Sequence, residues 1–202
     1  MPFKKLNELL LEKIATLGLE EPTDLQKVLI PKIKSGANIF AVGPRGSGKT
    51  EALVISVLQK LQMKSERDNP VALIYVKDKD AVLALAERFK KYTEFSELRI
   101  RTVFEEQRVS QQKDEVYLGA DVVITTPKRL SKLYFLNGIN LMELQMILVE
   151  DAEFLVGTSF HTHIDRISES IAKCQHIVFA EKFDSKLERL RDLFMKNAQI
   201  VQ

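Results

Sequence analysis

A glycine-rich segment has the residue types and spacing of a phosphate-binding loop. Residues Gly43 to Thr50 read Gly-Pro-Arg-Gly-Ser-Gly-Lys-Thr, the pattern of a glycine, four variable residues and then Gly-Lys-Thr. Glycines let backbone N–H groups turn toward phosphate oxygens, and the start of the following helix adds partial positive charge. This spacing predicts that Lys49 reaches the β- and γ-phosphates of a nucleotide and that the Thr50 hydroxyl is a Mg²⁺ ligand. The predicted nucleotide-binding residues of the loop are Gly43, Arg45, Gly46, Ser47, Gly48, Lys49 and Thr50.

Three carboxylates follow a short apolar run later in the chain. Residues 146–149 are Met-Ile-Leu-Val, and residues 150–153 are Glu-Asp-Ala-Glu. A phosphate-binding loop of this type works with a carboxylate that holds the metal at the end of a neighbouring strand. We therefore predict that this acidic group lies beside the loop and completes the Mg²⁺ site. The alternative is a solvent-exposed strand end without a ligand.

These two groups need elements that bring them together. Short runs of Val, Ile and Leu alternate along the chain with segments of helical periodicity, which is typical of βαβ units. Continuous apolar strands are buried on both faces, so we predict an α/β fold with a mainly parallel sheet and helices on both faces. Strands are predicted at residues 38–42, 71–76, 100–104, 121–125, 146–149 and 176–179. Helices are predicted at residues 6–17, from 24 past 31, and at 49–62, 81–92, 109–118, 128–135, 160–173 and 185–196.

Composition excludes several classes of protein. With 202 residues, 45% of them hydrophobic and 29% charged, the chain is predicted to be a soluble globular protein with one core. The formal net charge is only +2, so a nucleic-acid site would be a local patch and not a polybasic surface. The single cysteine, Cys174, excludes an internal disulfide and fits a reducing cytoplasm. No apolar run approaches the roughly 20 residues of a membrane helix, so we expect a cytoplasmic protein without a membrane partner.

A turn near residue 20 completes a wider resemblance. Residues 18–26, Gly-Leu-Glu-Glu-Pro-Thr-Asp-Leu-Gln, resemble the Q motif of the DEAD-box RNA helicases of superfamily 2. The resemblance implies a RecA-like P-loop domain, the first of that family's two, over residues 1–202, with a Q-motif region at 1–35 and a core at 36–202. It also implies that Gln26 reads adenine, which suits an amide with a donor and an acceptor, and that Phe3 stacks on the base.

Two further segments resemble RNA-contacting motifs of that family. Residues 126–129, Thr-Pro-Lys-Arg, are similar to motif Ib, Thr-Pro-Gly-Arg, and Lys79 keeps one cation of motif Ia. The resemblance implies that Lys79, Thr126, Lys128 and Arg129 contact the backbone of single-stranded RNA, and a hydroxyl, two cations and a helix start suit phosphate. The alternative for residues 126–129 is a helix N-cap followed by solvent-exposed charges.

The acidic quartet departs from the family pattern. Where the family has Asp-Glu-Ala-Asp, residues 150–153 read Glu-Asp-Ala-Glu. The resemblance assigns catalytic roles to Lys49, to Glu150 as the organiser of Mg²⁺, and to Asp151 beside the attacking water. Each acid differs from its family counterpart by one methylene, and a displacement of about 1 Å at a catalytic group costs on the order of 100-fold in rate. We expect nucleotide binding to suffer less than hydrolysis, because water fills gaps in a Mg²⁺ shell.

Other departures fall on the RNA-binding and coupling motifs. The family's Gly-Gly element is replaced by Glu105-Glu106, and its Ser-Ala-Thr by Ala-Glu-Lys at residues 180–182. Two carboxylates beside an RNA backbone repel it. The resemblance also places an arginine finger on the second RecA-like domain, and loss of such a finger costs roughly 10³–10⁵ in kcat. Residues 1–202 alone are therefore expected to bind nucleotide with little turnover.

The leading hypothesis is the ATP-binding domain of a DEAD-box-type ATP-dependent RNA helicase. Its expected cofactors are ATP and Mg²⁺, and its expected partners are single-stranded RNA and a second RecA-like domain, in cis or on a partner protein. One alternative is a non-catalytic nucleotide-binding module derived from a helicase domain, and another is a P-loop NTPase that acts on DNA or protein. His161 and His163 lack a firm third ligand, so no metal site is predicted there.

Overall fold

The fold is an open parallel sheet with helices on both faces. The computed structural model describes residues 3, 5–19, 21–155, 163–164, 167–168, 170–171, 173–195 and 197–202. The strands in these ranges are β1 (Ile39–Val42), β2 (Ala72–Tyr75), β3 (Ile100–Val103), β4 (Val122–Thr125), β5 (Met146–Val149), β6 (Gln175–Ala180) and β7 (Gln199–Val201). The α-helices whose bounds fall in these ranges are α1 (Glu8–Thr16), α2 (Asp24–Lys34), α3 (Lys49–Lys60), α4 (Lys79–Thr93), α5 (Val109–Tyr117), α6 (Pro127–Phe135) and α7 (Ser185–Phe194).

The strand order places the two predicted functional groups near each other. The sheet runs β3-β4-β2-β5-β6-β1-β7, and every pair of neighbouring strands is parallel. All strands therefore end at the same edge, where ligands of open parallel sheets bind. The loop after β1 and the acids after β5 meet at this edge with only β6 between them. The α/β fold class is confirmed.

Burial explains why the strands read as continuous apolar runs. Along β1, Ile39 and Ala41 face one core cluster, and Phe40 and Val42 face the other. The first cluster contains residues from α1 to α4, and the second contains residues from α5 to α7. Since each face of the sheet is covered by helices, both faces need apolar side chains.

The structure departs from the predicted elements most clearly at α4 and β7. Helix α4 begins at Lys79, earlier than expected, because the Asp78 side chain accepts a hydrogen bond of 2.9 Å from the N–H of Ala81 and caps the helix. Strand β7 was not predicted because its three residues include a glutamine and two of them are exposed, yet it pairs with β1. The predicted helix at 160–173 lies mostly outside the described residues.

No α-helix in the described ranges is long and apolar enough to span a membrane.

Candidate nucleotide-binding site

The glycine-rich loop connects β1 to α3 with a backbone that only glycine adopts easily. Gly46 and Gly48 have φ values of +81° and +89°, in the left-handed region that disfavours a Cβ atom. A Cβ on Gly48 would lie 2.4 Å from Nε2 of Gln26. The N–H of Gly43 donates to the carbonyl of Ala180 at 3.1 Å, which fixes the start of the loop on β6. The predicted strand–loop–helix arrangement is thus present.

Lys49 is the cation that the loop encloses. Its side chain is only 8% exposed, and its Nζ donates to the carbonyl oxygens of Gly43 and Pro44 at 2.5 and 3.0 Å. No carboxylate within the described ranges pairs with it closely enough to form a salt bridge. An ammonium that is held only by carbonyl groups of its own loop is available to phosphate oxygens.

Thr50 and Glu150 form the predicted metal-binding pair. The Thr50 hydroxyl donates to Oε1 of Glu150 at 2.7 Å, from the first turn of α3 to the residue after β5. Burial raises the pKa of Glu150, the hydrogen bond from Thr50 opposes that shift, and the charge of Asp151 adds to it. A partly buried carboxylate with a raised pKa gains from a nearby divalent cation, because the cation stabilises its charged form.

Asp151 has a left-handed backbone conformation. Its φ is +50°, a left-handed value that costs a non-glycine residue about 1 kcal/mol or more. Such residues concentrate at functional sites, where surrounding structure holds them. Asp151 is exposed and lines the cavity beside the loop, where the resemblance placed it.

A cavity of about 400 Å³ opens over the loop at the carboxyl edge of the sheet. It is lined by Arg45, Gly46, Gly48, Lys49, Thr50, Glu51, Arg88 and Asp151. Sequence reasoning missed Glu51 and Arg88, whose Oε1 and Nη1 are 2.7 Å apart. Arg88 comes from α4 and has no motif around it, so only the packing of α4 against α3 brings it to the cavity.

The donor set of this cavity fits a magnesium-bound triphosphate. Lys49 supplies a positive charge, Thr50 and Glu150 supply oxygen ligands of the kind that Mg²⁺ prefers, and the helix N-terminus of α3 supplies N–H groups. Ser47 Oγ is buried and has no hydrogen-bond partner within the described residues. An unpaired buried hydroxyl in the loop is consistent with a polar ligand there.

Gln26 is bonded to the loop and not presented to solvent. Its side chain forms a capping box at α2, with Thr23 N–H donating to Gln26 Oε1 at 3.0 Å. Its Nε2 donates to the carbonyl of Gly48 at 3.0 Å, and the residue is 6% exposed. The Thr23 hydroxyl donates to the carbonyl of Ser47 at 2.8 Å. Reading of adenine by Gln26 therefore stays a prediction that requires some of these bonds to exchange for bonds to the base.

Phe3 lies in the hydrophobic core and not at the cavity. It is 8% exposed and belongs to the same core cluster as Leu6 and Leu10. In this placement the aromatic ring packs against other apolar side chains and has little exposure to solvent. Stacking by Phe3 stays an untested prediction.

Arg45 connects the loop to the end of β6. Its Nε donates to Oε1 of Glu181 at 2.5 Å, and the Arg45 side chain is 92% exposed. Glu181 replaces a residue of the family's Ser-Ala-Thr motif, and its own N–H donates to Oε1 of Glu153 at 2.5 Å. The third acid of the quartet and the altered motif are thus joined beside the loop.

The predicted RNA-contacting residues lie at the same edge of the sheet, beyond β3 and β4. Thr126 is buried, and its hydroxyl donates to Oε2 of Glu105 at 2.7 Å. Arg129 is 6% exposed, and its Nη2 donates to the carbonyl oxygens of Glu105 and Gln107. Lys128 is exposed. The structure brings these residues together, but it pairs two of them with the turn that follows β3.

Two remaining sequence features are the pair His161 and His163 and the single cysteine, Cys174. His161 lies outside the described residues, and Nδ1 of His163 is 3.0 Å from Oγ of Ser131. Among the residues that the structure describes, no three His, Cys, Asp or Glu side chains are close enough to hold a metal ion. Burial raises the pKa of the free Cys174 thiol to about 12, which is consistent with an inert packing residue.

A parallel α/β sheet with a glycine-rich loop of the P-loop pattern after β1 and an acidic group after β5 defines a RecA-like P-loop domain. Residues 23–182 match the family model for the DEAD/DEAH box helicase, and the chain belongs to this family. It corresponds to the first RecA-like domain, which is the ATP-binding one. The resemblance drawn from the Q motif, the loop and the acidic quartet is confirmed.

Individual relatives support the same assignment. The chain is 25% identical to the human probable ATP-dependent RNA helicase DDX46, over 90% of this chain and 18% of that protein. It is 28% identical to the putative DEAD-box ATP-dependent RNA helicase 29 of Arabidopsis thaliana, over 92% of this chain and 22% of that protein. It is 25% identical to the ATP-dependent RNA helicase DeaD of Haemophilus influenzae, over 98% and 32% respectively. The chain thus spans less than a third of the length of these relatives.

A solved structure confirms the fold. The crystal structure of a DEAD box protein from Methanococcus jannaschii matches with a TM-score of 0.88 at 21% identity. The match covers 99% of this chain and 55% of that one.

Proposed function

We propose that this chain binds Mg²⁺-ATP and the RNA backbone as the ATP-binding domain of an ATP-dependent RNA helicase. The observation that carries the proposal is the hydrogen bond from Thr50 to Glu150, which brings a loop hydroxyl and a strand-end carboxylate together beside Lys49. We further propose that residues 1–202 form one ATP-binding unit and that the protein works in the cytoplasm. Its reduced thiol and the absence of a spanning helix in the described ranges are compatible with that location.

The polar residues of the loop and of the acidic group have distinct tasks in this proposal. Lys49 holds the β- and γ-phosphates, and Thr50 and Glu150 hold the metal. When bound, Mg²⁺ neutralises charge that develops on the phosphates during transfer. Asp151 orients the attacking water, and both Asp151 and Arg45 line the same cavity. Thr126, Lys128, Arg129 and Lys79 are the proposed contacts to RNA.

The order of the acids is the proposed reason for slow turnover. Glu150 reaches farther than the aspartate of the family motif, and Asp151 reaches less far than the glutamate. A misplacement of about 1 Å costs on the order of 100-fold in rate. An arginine finger from a second RecA-like domain contributes roughly 10³–10⁵, so we propose that hydrolysis is weak without that domain.

ATP hydrolysis by the full-length protein, with and without single-stranded RNA, tests this function. We expect RNA to raise kcat when the second domain is supplied in cis or by its partner. The double change Glu150→Asp with Asp151→Glu is expected to raise turnover without changing ATP affinity. Glu153→Asp alters the third acid by the same methylene and is the matched control, expected to give no such gain. ATP binding without any stimulation by RNA would contradict the helicase proposal.

A second candidate is a nucleotide-binding module without catalysis. It is favoured by Glu181, which pairs with Arg45 where the family has a hydroxyl-bearing motif. This candidate predicts ATP affinity with no RNA affinity and no gain in turnover from the restored acid order. A complex with an RNA oligomer that weakens as salt rises would exclude it.

A further inference from the structure

The turn after β3 contacts three of the four residues proposed to bind RNA. Glu105 accepts the hydrogen bond of Thr126, as described above. The carbonyl oxygens of Glu105 and Gln107 accept from Arg129. The centroid of the Phe104 ring, in the same segment, lies 5.8 Å from Nζ of Lys79. The turn after β3, residues 104–107, therefore contacts Thr126, Arg129 and Lys79.

The Glu105 carboxylate contacts the Thr126 hydroxyl as a phosphate group would. A carboxylate oxygen and a phosphate oxygen are both anionic acceptors, and both form short bonds to a hydroxyl. The 2.7 Å distance to Oε2 of Glu105 is an ordinary length for such a bond. Thr126 is buried, so its hydroxyl has little access to other acceptors while Glu105 is in place.

The negative charges of this turn also oppose RNA binding. Glu105 and its neighbour Glu106 are both exposed, so their carboxylates face the solvent from which an RNA backbone approaches. These carboxylates and the RNA phosphates carry like charges and repel each other, and the repulsion of exposed groups weakens as salt rises. Repulsion is therefore expected from both Glu105 and Glu106. Among the contacts described for these two residues, only Glu105 accepts a hydrogen bond from Thr126.

We propose that Glu105 is a built-in competitor for the RNA backbone, its carboxylate filling the phosphate position on Thr126. This inference rests on the proposed function, because it concerns the RNA surface of that domain. RNA binds fully only when the 104–107 turn releases Thr126, so Glu105 lowers RNA affinity in the resting protein. Its role is to set how readily the domain takes up RNA.

RNA affinity of the full-length protein tests the proposal, with Glu105→Ala compared with Glu106→Ala. The probe is a fluorescent polyuridylate oligomer with Mg²⁺ and a non-hydrolysable ATP analogue. We expect Glu105→Ala to tighten binding about tenfold, the effect of one hydrogen bond to a charged group. Glu106→Ala removes the same charge without freeing Thr126 and is expected to give a smaller gain that disappears at high salt. The gain from Glu105→Ala should persist at high salt.

A double variant separates competition from a structural role of Glu105. Thr126→Val is expected to cancel the gain when it is added to Glu105→Ala, because the freed hydroxyl makes the new contact. Equal gains from Glu105→Ala and Glu106→Ala, or RNA binding by the wild-type protein that Glu105→Ala leaves unchanged or weakens, would overturn the proposal. Failure of every variant to bind RNA would instead overturn the RNA-binding part of the proposed function, and the competitor with it.

Discussion

The Thr50 hydroxyl donates a hydrogen bond of 2.7 Å to Glu150, although 100 positions of sequence separate the two residues. The bond crosses from the loop after β1 to the end of β5, with β6 between the two strands. It joins the two protein groups proposed to bind Mg²⁺. The partly buried carboxylate with its raised pKa is held in place by a neutral donor.

Replacing Glu150 by glutamine is expected to stabilise the nucleotide-free protein at neutral pH. The folded-state pKa of Glu150 is raised above its ordinary value of 4.5, chiefly by burial. Because the folded state binds this proton more tightly than the unfolded state, the free energy of unfolding falls as pH rises from the ordinary pKa through the raised pKa of the folded state. Glu150→Gln removes this loss while keeping an oxygen that accepts from Thr50. Urea unfolding of both proteins across this pH range measures the difference.

Glu143→Gln is a control for which the change in stability is expected to have the opposite sign. Hydrogen bonds from Asn69, and the nearby Arg67, lower the pKa of Glu143. Ionised Glu143 stabilises the fold at pH values above its ordinary pKa. This contribution is lost as pH falls through the lowered pKa of the folded state. We expect Glu143→Gln to destabilise the protein at neutral pH. A stabilising Glu143→Gln, or a destabilising Glu150→Gln, would show that these directions are wrong.

Gln26→Ala is expected to weaken both the fold and the preference for adenine. The change removes half of a helix capping box and the bond from Nε2 to the Gly48 carbonyl. Loss of a cap of this kind costs about 1 kcal/mol. Competition of ATP with GTP for the protein, followed by fluorescence, measures the base preference.

Thr23→Ala is the matched variant for that experiment. It removes the other half of the same capping box and a bond to the loop, so it is expected to lower stability by a similar amount, about 1 kcal/mol. The adenine preference should nevertheless remain. If Gln26→Ala keeps the preference for ATP, Gln26 is a structural residue and does not read the base.

Arg45→Ala and Glu181→Ala are expected to change ATP affinity in opposite directions. Their ion pair is exposed, so stability should change little in either variant. Loss of Arg45 removes a cation from the cavity, and we expect ATP to bind several-fold more weakly. Loss of Glu181 frees that guanidinium for phosphate, and we expect tighter binding. Titration with ATP at constant Mg²⁺ measures both, and Lys182→Ala controls for a nearby charge outside the cavity lining. Changes in the same direction for Arg45→Ala and Glu181→Ala would refute this role.

The sequence predicts the parts of this molecule that depend on local pattern. The loop from Gly43 to Thr50 has a fixed spacing, and the strands are continuous apolar runs, so both could be placed from the residues alone. Strand β7 is too short and too polar to give such a pattern. Its pairing with β1 depends on the position that the chain reaches after α7.

Contacts between residues that lie far apart in the sequence could not be predicted from it. The Arg99 guanidinium pairs with the buried carboxylate of Asp121 at 3.1 Å, and nothing around either residue indicates the partner. The same holds for Gln26 with Gly48 and for Glu105 with Thr126. The sequence indicates that Glu105 departs from a family motif, but only the packing of β3 beside β4 places its carboxylate on the Thr126 hydroxyl.

Calorimetric titration of Mg²⁺-ATP into the wild-type protein, Lys49→Ala and Lys60→Ala tests the central claim most directly. Lys49 begins α3 inside the loop, and Lys60 ends the same helix at the far edge of the sheet. We expect saturable binding by the wild type and by Lys60→Ala, and an affinity at least about tenfold weaker for Lys49→Ala, because the ammonium makes charge-assisted bonds to phosphate. Absence of saturable binding by the wild type, or equal affinity in all three proteins, would contradict the account.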